Sequence, residues 1–387
     1  MTAASRAYLD YNASAPLLPV ARNAMLAALD ADANPSSVHA DGRAARRIVE
    51  EARRAVAALC GASVEQVIFT SGATEAANMA LTPRYRMGRS ALRASHLYVL
   101  ASDHPCLLGG GQFAPERRTL VPVGGDGVVD MAALRRALEA HDMETGLPLV
   151  AMHAANNETG VLQPVAEVAS LVAEAGGIFV VDAVQAAGRL TIDMSASYAD
   201  FLILSAHKIG GPRGVGALVA KSGVMMPEPL LRGGGQEKGH RAGTENVAGI
   251  AGFGAAARAA SDLGAMDRIA AMRDRFEARL AALVPDVVIH GAGTPRLCNT
   301  SFFSLPGIKA ETAQIALDLA GISVSAGSAC SSGKVGPSHV LQAMGANLSM
   351  GALRVSIGAA TGEAEIDALM AAIGSLVDRR RAEGAAA

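Results

Sequence analysis

The chain has 387 residues, half of them hydrophobic, and a formal net charge of −2 at pH 7. This length favours two domains, the hydrophobic content excludes a disordered chain, and a balanced charge without a long basic run argues against a nucleic-acid binder. No signal-peptide segment and no unbroken apolar run of about 18 residues is visible, so we predict a cytoplasmic protein that acts on a small substrate.

Short apolar runs alternate with helical patterns in the first two thirds of the chain, and this alternation predicts a largely parallel α/β sheet covered on both faces. In chain order we predict a helix at 43–59, strands at 67–70 and 97–102, a helix at 132–140, a strand at 149–153, a helix at 165–175, and strands at 178–182, 201–205 and 217–220.

The pattern changes after about Gly264 and becomes typical of a smaller α+β domain. There we predict a helix at 266–283, strands at 287–290 and 300–304, a helix at 311–320 and two further helices. We therefore assign residues 13–263 to a large domain, and residues 1–12 with 264–387 to a small one.

Five polar clusters stand where predicted strands end. Ligands of open parallel sheets bind beyond the carboxyl ends of the strands, so the clusters together predict one site. Any single cluster is explained by a local structural role in a helix cap or a turn. That all five clusters have only such a role is much less expected. The clusters are 71–75, 103–104, 156–158, Asp182 with Gln185, and Ser205 with His207 and Lys208.

Lys208 follows an apolar strand and enters a glycine-rich turn at 209–216. A lysine there can be a solvated surface residue, but buried lysines also form Schiff bases with carbonyl cofactors, pyridoxal 5′-phosphate above all. Asp182 ends another apolar strand, where a pyridinium cation would compensate its charge. Suitable companions are His104 as a stacking ring and, for the phosphate, Thr74 and the amides of 72–75 with Ser205 and His207.

Nine short motifs stand in a fixed order: LDYNA (9–13), NPSSVH (34–39), TSGATE (70–75), NNETG (156–160), VDAVQ (181–185), SAHK (205–208), GGGQE (233–237), RAGTEN (241–246) and GSACSSG (327–333). Each motif alone is a weak pattern. In this order and spacing they make the chain closely resemble the pyridoxal-phosphate-dependent cysteine desulfurases of the class V aminotransferase family, nearly from end to end.

The resemblance implies a fold-type I enzyme: a large, mostly parallel sheet domain of the seven-stranded type, a smaller α+β domain, and a homodimer. It implies that Lys208 binds the cofactor covalently and that Asp182 contacts the ring nitrogen. It also implies that His104 stacks on the cofactor ring and that Asn157 and Gln185 lie near the phenolic oxygen. The residues implied to bind the phosphate are Ala73, Thr74, Ser205 and His207, with Thr244 from the other subunit. The substrate carboxylate is implied to bind Arg354, with Asn34 beside it.

Cys330 separates a desulfurase from an ordinary aminotransferase, and its small neighbours suit a mobile loop. The resemblance implies that Lys208 moves the α-proton of L-cysteine and that the Cys330 thiolate attacks the substrate sulfur. A persulfide then forms on Cys330, alanine leaves, and the sulfur passes to an acceptor such as an iron–sulfur scaffold protein. No stable metal site is predicted, and a transient iron–sulfur contact at Cys330 is left as a hypothesis. The alternative is a free loop thiol without a role.

The other cysteines stand singly, so neither a zinc site nor a disulfide framework is predicted. We interpret Cys60 and Cys298 as packing thiols. Cys106 lies two residues after His104, where the sequence departs from the family pattern, and it is left open between packing and a second reactive thiol. Lys238 stands where arginine is commoner in the family.

Parts of the sequence also match the patterns of other functions. S-x-x-K occurs at 205–208 and 331–334, but a serine acyl-transfer enzyme would also carry S-D-N and K-T-G. Residues 327–334 hold one residue too many for a phosphate-binding loop. A non-enzymatic binding protein would be expected to lack Lys208 or Asp182. A selenocysteine lyase or another enzyme of the same family stays open, because neither residue distinguishes among them.

Overall fold

The computed structural model describes residues 6–196, 199–327 and 337–386. The strands in chain order are β1 (Ala7–Tyr8), β2 (Val67–Thr70), β3 (Arg84–Met87), β4 (Ser90–Leu100), β5 (Arg118–Val121), β6 (Leu147–His153), β7 (Ile178–Asp182), β8 (Phe201–Ser205), β9 (Gly216–Ala220), β10 (Met225–Pro227), β11 (Val288–Ile289), β12 (Thr300–Ser304), β13 (Ile322–Ser323), β14 (Ser325–Ala326) and β15 (Leu353–Ser356).

Helices connect and cover these strands. In chain order they are α1 (Pro19–Leu29), α2 (Ala40–Leu59), α3 (Ala73–Ala80), α4 (Pro105–Leu108), α5 (Met131–Glu139), α6 (Val165–Glu174), α7 (Val247–Ala260), α8 (Met266–Leu283), α9 (Ala310–Leu319), α10 (His339–Ala343) and α11 (Glu363–Ala386). Within the described ranges, none of them is both long enough and apolar enough to cross a membrane.

The large sheet has the order β10-β3-β4-β6-β7-β8-β9-β2, with β5 beside β4. Strands β5, β4, β6, β7 and β8 are parallel to one another, whereas β9, β2, β3 and β10 pair antiparallel. The largely parallel α/β sheet predicted from the sequence is confirmed. In the described residues it has nine strands instead of seven, because β3 and β10 extend one edge.

Both faces of the large sheet are buried, as predicted. Successive residues of a strand point to opposite faces, so Leu149 and Val150 of β6 enter different hydrophobic clusters. All five residues of β7 and all five of β8 are buried. This explains why the central strands have continuous apolar runs and no alternation.

A second sheet has the antiparallel order β11-β12-β15-β14, and β1 pairs in parallel with β13 nearby. Leu9, Phe276, Phe303, Ile322 and Val355 belong to its separate hydrophobic core. The elements from α8 onward, apart from α10, build this part of the molecule together with β1. Val340 of α10 belongs to a hydrophobic cluster of the large sheet. The domain limits at residues 12–13 and 263–264 stay a prediction.

The strands that the sequence did not reveal are polar or exposed. β3 has the sequence RYRM, in which Tyr85 alone is buried, and the first residues of β4 are mostly exposed. Neither segment has the apolar run that predicts a strand, because most side chains in both are exposed to solvent. The strand predicted at 97–102 therefore begins seven residues earlier, at Ser90.

Candidate active site

A cavity of about 520 Å³ lies where the parallel strands of the large sheet end. His153 and Asp182 are register partners at the ends of β6 and β7, and both line it. Nine residues assigned from the sequence line the same cavity: Ala73, Thr74, His104, Asn157, Asp182, Gln185, Ser205, His207 and Lys208.

The N-terminus of α3 forms one wall of this cavity. Its first helical hydrogen bond runs from the Ala76 amide to the Gly72 carbonyl, 3.1 Å, so the amides of 73–75 are not used inside the helix. A Cβ on Gly72 would meet no heavy atom within 4 Å, so the helix opens onto free volume. Gly216 lets β9 approach this turn closely, since a Cβ there would lie 2.6 Å from the Gly72 carbonyl carbon. The arrangement is suited to an anion such as a phosphate.

Asp182 ends β7 as a buried carboxylate. Its Oδ1 accepts a hydrogen bond from the Val184 amide at 2.9 Å, and the Cys106 thiol lies 3.9 Å from its Oδ2. Burial is the main cause that raises the pKa of Asp182 to about 6. A cation placed in the cavity beside Asp182 would favour its charged form.

Lys208 ends a short 3₁₀ turn after β8 and reaches across to the segment that follows β1. Its Nζ donates to the carbonyl oxygens of Asn12 at 2.6 Å and Ala13 at 2.9 Å. Gln185 Nε2 donates to the same Asn12 carbonyl at 3.0 Å. The Asn12 side chain is itself fixed, because its Nδ2 donates to Thr300 Oγ1 at 2.9 Å. The lysine amine is therefore held at the cavity wall by a rigid part of the backbone.

Two histidines of the cavity, His104 and His207, are neutral at pH 7. Burial, and next the nearby charge of Lys208, lower the pKa of His104 to about 4 and that of His207 to about 4. The Cys106 amide donates to His104 Nδ1 at 3.2 Å, so the His104 proton lies on Nε2. An uncharged imidazole at this position can stack on an aromatic ring.

Arg354 lies behind the cavity wall on β15 and is 1% exposed. Its guanidinium donates to the Asn157 carbonyl at 2.8 Å and forms an ion pair with Asp10 at 2.8 Å. Its Nε has no hydrogen-bond partner among the described residues. The guanidinium is thus one residue removed from the cavity, in contact with the backbone of Asn157.

The remaining assigned residues lie elsewhere. Asn34 is exposed between α1 and α2, and its Oδ1 accepts a hydrogen bond from the Ser36 amide. Thr244 is exposed and lines a separate cavity of about 230 Å³, which shares Ser71 and Gly214 with the larger one. Cys330 falls outside the described residues.

His153 lines the cavity but was not assigned from the sequence. The amide of Gln163 is oriented by neighbours, since its Oε1 accepts from the Val129 amide and its Nε2 donates to the Gly127 carbonyl. Gln163 Nε2 then donates to His153 Nε2 at 3.2 Å, and His153 Nδ1 donates to Asp103 Oδ1 at 2.5 Å. His153 is therefore fixed in its Nδ1–H form beside Asp182.

Three further lining residues had weak or no sequence signals. Arg213 lies in the glycine-rich turn after Lys208, whose position could have revealed it, whereas Ser14 has no motif of its own. Cys106 lies in the cavity wall next to Asp182, which places this thiol at the site but does not decide between packing and reactivity. Cys60 is fully buried, and burial raises its pKa to about 12, as expected for a packing thiol.

Comparison with known proteins identifies the family. The model of the aminotransferase class-V family matches residues 7–369. The chain belongs to this family. A cysteine desulfurase of Cereibacter sphaeroides is 42% identical over 97% of both chains, and an IscS-like cysteine desulfurase of Mycobacterium tuberculosis is 39% identical over 98% of this chain and 99% of the relative.

Solved structures agree with this assignment. The NifS-like protein from Rickettsia africae superposes with a TM-score of 0.85 at 31% identity and covers 96% of this chain and 99% of its own. A cysteine desulfurase from Thermococcus onnurineus superposes with a TM-score of 0.79 at 25% identity, over 96% of this chain and 94% of its own. The similarity confirms the fold-type I architecture.

Enzymes of this family depend on pyridoxal 5′-phosphate, and the residues of the cavity fit that group. The Lys208 amine fits the aldehyde of that group, the buried carboxylate of Asp182 fits its ring nitrogen, and the amides at the start of α3 fit its phosphate. All three line one cavity. The chain is therefore a pyridoxal-phosphate-dependent enzyme.

Proposed function

We propose that the chain is a cysteine desulfurase, which converts L-cysteine to L-alanine and forms a persulfide on Cys330. The observation that carries the proposal is that Lys208, Asp182 and the N-terminus of α3 line one cavity. The chain that contains this cavity is 42% identical to a cysteine desulfurase. The amine and the carboxylate support the cofactor chemistry, and the near full-length relatives favour cysteine as the substrate.

For the cofactor we propose the residues that surround the cavity. Bound pyridoxal 5′-phosphate supplies an electron sink for the electron pair that remains when a substrate bond at Cα is broken. Asp182 would hold the ring nitrogen in its charged form, and neutral His104 would lie on the ring face. Asn157 and Gln185 would donate to the phenolic oxygen, while Ala73, Thr74, Ser205 and His207 would bind the phosphate.

Lys208 is the residue that we propose for moving the α-proton. Its Nζ already lies within hydrogen-bond distance of two backbone carbonyls, so a released amine has a defined position at the cavity wall. The substrate carboxylate is assigned to Arg354 with Asn34. The buried Nε of Arg354, which has no hydrogen-bond partner among the described residues, supports this role.

Cys330 is proposed as the sulfur acceptor within the enzyme. Its thiolate would attack the sulfur of the substrate, so that the substrate C–S bond breaks, an S–S bond forms on Cys330, and Cα and Cβ take up protons as alanine leaves. A second thiol, on an acceptor protein such as an iron–sulfur scaffold, would then remove the terminal sulfur. A transient iron–sulfur contact at Cys330 during that transfer is a further hypothesis.

We also propose a cytoplasmic homodimer in which Thr244 of one subunit reaches the phosphate of the other. The exposure of Thr244, at a cavity that shares two lining residues with the main one, supports this arrangement. A fully cofactor-loaded protein that is monomeric in analytical ultracentrifugation would contradict it.

The test measures the alanine that the cofactor-loaded protein releases from L-cysteine in the presence of a thiol reductant. The variant Cys330→Ala and the control variant Cys298→Ala are assayed in the same way. Native protein and the Cys298 variant should release alanine, and the Cys330 variant almost none. Equal release by the Cys330 variant would contradict the proposed role of Cys330. Release from L-selenocysteine but not from L-cysteine would favour the alternative, a selenocysteine lyase.

A further inference from the structure

A second cavity, of about 400 Å³, shares Lys208 with the active site. Its wall comes from the segment before α1, the end of α7, the start of α8 and the residues after β15. The wall is mainly apolar, with Leu17, Leu18, Met266, Ile269 and Ile357 among its residues. This volume accommodates a small organic molecule.

Arg189 brings a positive charge to this apolar wall. Its Nη1 donates to the backbone carbonyl of Gln185 at 2.7 Å and to Gln185 Oε1 at 3.0 Å. Its Nε and Nη2, which form one edge of the guanidinium, donate to no group in the described part of the chain. That edge presents two parallel N–H donors, the geometry that fits a carboxylate.

The other charged groups of the wall leave this edge available. Asp262 is the acidic residue of the wall within the described ranges, and its Oδ1 accepts a hydrogen bond from the Gly264 amide at 2.9 Å. It forms no hydrogen bond with Arg189. Lys208, the second cation of the wall, points its Nζ to the carbonyls of Asn12 and Ala13. Burying a guanidinium without an anion is costly, so an anionic ligand is the natural complement.

We propose that this cavity binds a small amphiphilic carboxylate, with its carboxylate on Arg189 and its hydrocarbon chain against the apolar wall. A medium-chain fatty acid of about ten non-hydrogen atoms is the class of ligand that the volume and the lining fit. This site is separate from the proposed desulfuration and goes beyond it.

A chain of hydrogen bonds connects the proposed site to the active site. Arg189 Nη1 donates to Gln185 Oε1, Gln185 Nε2 donates to the Asn12 carbonyl at 3.0 Å, and Lys208 Nζ donates to the same carbonyl at 2.6 Å. A carboxylate on the free edge of Arg189 changes the charge next to Gln185, which lies in the cofactor cavity. Ligand binding is therefore expected to alter the absorption spectrum of the bound cofactor.

The experiment is calorimetric titration of the cofactor-loaded protein with sodium octanoate, and with octan-1-ol as the uncharged control. Octanoate should bind with one site per chain, about tenfold or more tightly than the alcohol. The visible spectrum of the cofactor, recorded in parallel, should shift with the same half-saturation. Desulfurase activity is not needed for either readout, so failure of this proposal is distinguishable from failure of the proposed function.

Variants locate the site. Arg189→Met should weaken octanoate binding about tenfold or more and leave octanol binding unchanged. Leu17→Trp narrows the cavity and should weaken both ligands, whereas Leu26→Trp, at a similarly exposed leucine outside the wall, should change neither. Leu17 and Leu26 have no place in the proposed catalytic machinery, so folding of both variants can be verified by cofactor loading.

Several outcomes would overturn the proposal. Absence of octanoate binding would refute it, including the case in which a second copy of the chain covers the cavity. Equal affinity for octanoate and octanol would refute the carboxylate assignment to Arg189. Binding that Leu17→Trp does not weaken would place the ligand elsewhere, and binding without a spectral shift would refute the connection through Gln185.

Discussion

Replacing Asp182 by asparagine should stabilise the cofactor-free protein in a pH-dependent way. Asp182 titrates near 3.8 when unfolded, whereas burial raises its pKa to about 6 in the folded chain. A folded pKa above the unfolded one means that the carboxyl group favours folding most below pH 4. This contribution to the free energy of unfolding is lost as the pH rises from 4 through 6, because the Asp182 carboxyl ionises at a lower pH in the unfolded chain than in the folded chain.

The magnitude follows from the shift. About two pKa units correspond to about 3 kcal/mol over the whole titration, and about 1 kcal/mol of this falls between pH 5 and pH 7. Asparagine keeps the acceptor oxygen for the Val184 amide and carries no charge. Any pH-independent effect of the new amide on the free energy of unfolding cancels when two pH values are compared. The free-energy difference between Asp182→Asn and native protein should therefore grow by about 1 kcal/mol from pH 5 to pH 7.

Urea unfolding of both cofactor-free proteins at pH 5 and pH 7 measures this difference. Asp193→Asn is a control without pH dependence in this range. Hydrogen bonds from Ser195 lower the pKa of Asp193 in the folded state, so this carboxylate is ionised in both states at pH 5 and at pH 7. The cofactor should reverse the effect of Asp182→Asn, since loss of the carboxylate weakens binding of a charged ring. A pH-independent difference between native protein and Asp182→Asn would refute the electrostatic account of this residue.

Three further substitutions have definite expected results. Glu237→Ala leaves the guanidinium of Arg53 buried without its two short hydrogen bonds and should lower the free energy of unfolding in urea by about 3–5 kcal/mol. Lys238→Gly relieves a backbone φ of 56° and should raise that free energy by up to about 1 kcal/mol relative to Lys238→Ala. Thr74→Val removes a hydroxyl at the start of α3 and should weaken cofactor binding about tenfold in equilibrium dialysis, with unfolding of the cofactor-free protein within about 0.5 kcal/mol of native.

Each of these expectations has a contrary result. Native-like stability of Glu237→Ala would mean that water reaches Arg53 and solvates its charge. A Lys238→Gly variant less stable than Lys238→Ala would mean that the added freedom of the unfolded chain outweighs the relief of strain. Unchanged cofactor affinity in Thr74→Val would remove this hydroxyl from the phosphate site and leave that task to the backbone amides.

Much of the site was predictable because its residues stand at strand ends. Asp182 ends one buried apolar run and Lys208 stands three residues after another, and parallel strands place such ends at one edge of the sheet. The start of α3 was predictable from the same geometry. These signals are local in sequence, so periodicity and composition are enough to find them.

The rest depends on contacts between distant segments. Lys208 meets Asn12 across nearly two hundred residues, and no periodic pattern records that pairing. His153 could be placed at the end of β6, but its orientation depends on Gln163 and Asp103, which tertiary structure alone brings to it. The second cavity was invisible for the same reason, because Arg189 and Leu17 come together only in the folded chain.

The measurement that tests the central claim most directly is mass spectrometry after a single turnover. Cofactor-loaded protein, reduced beforehand, is mixed with one equivalent of L-cysteine, quenched with an alkylating reagent and digested. The account predicts one equivalent of alanine and one additional sulfur atom on the peptide that contains Cys330. Alanine formed while the additional sulfur is found on the peptide that contains Cys106, or on no peptide, would contradict persulfide formation at Cys330.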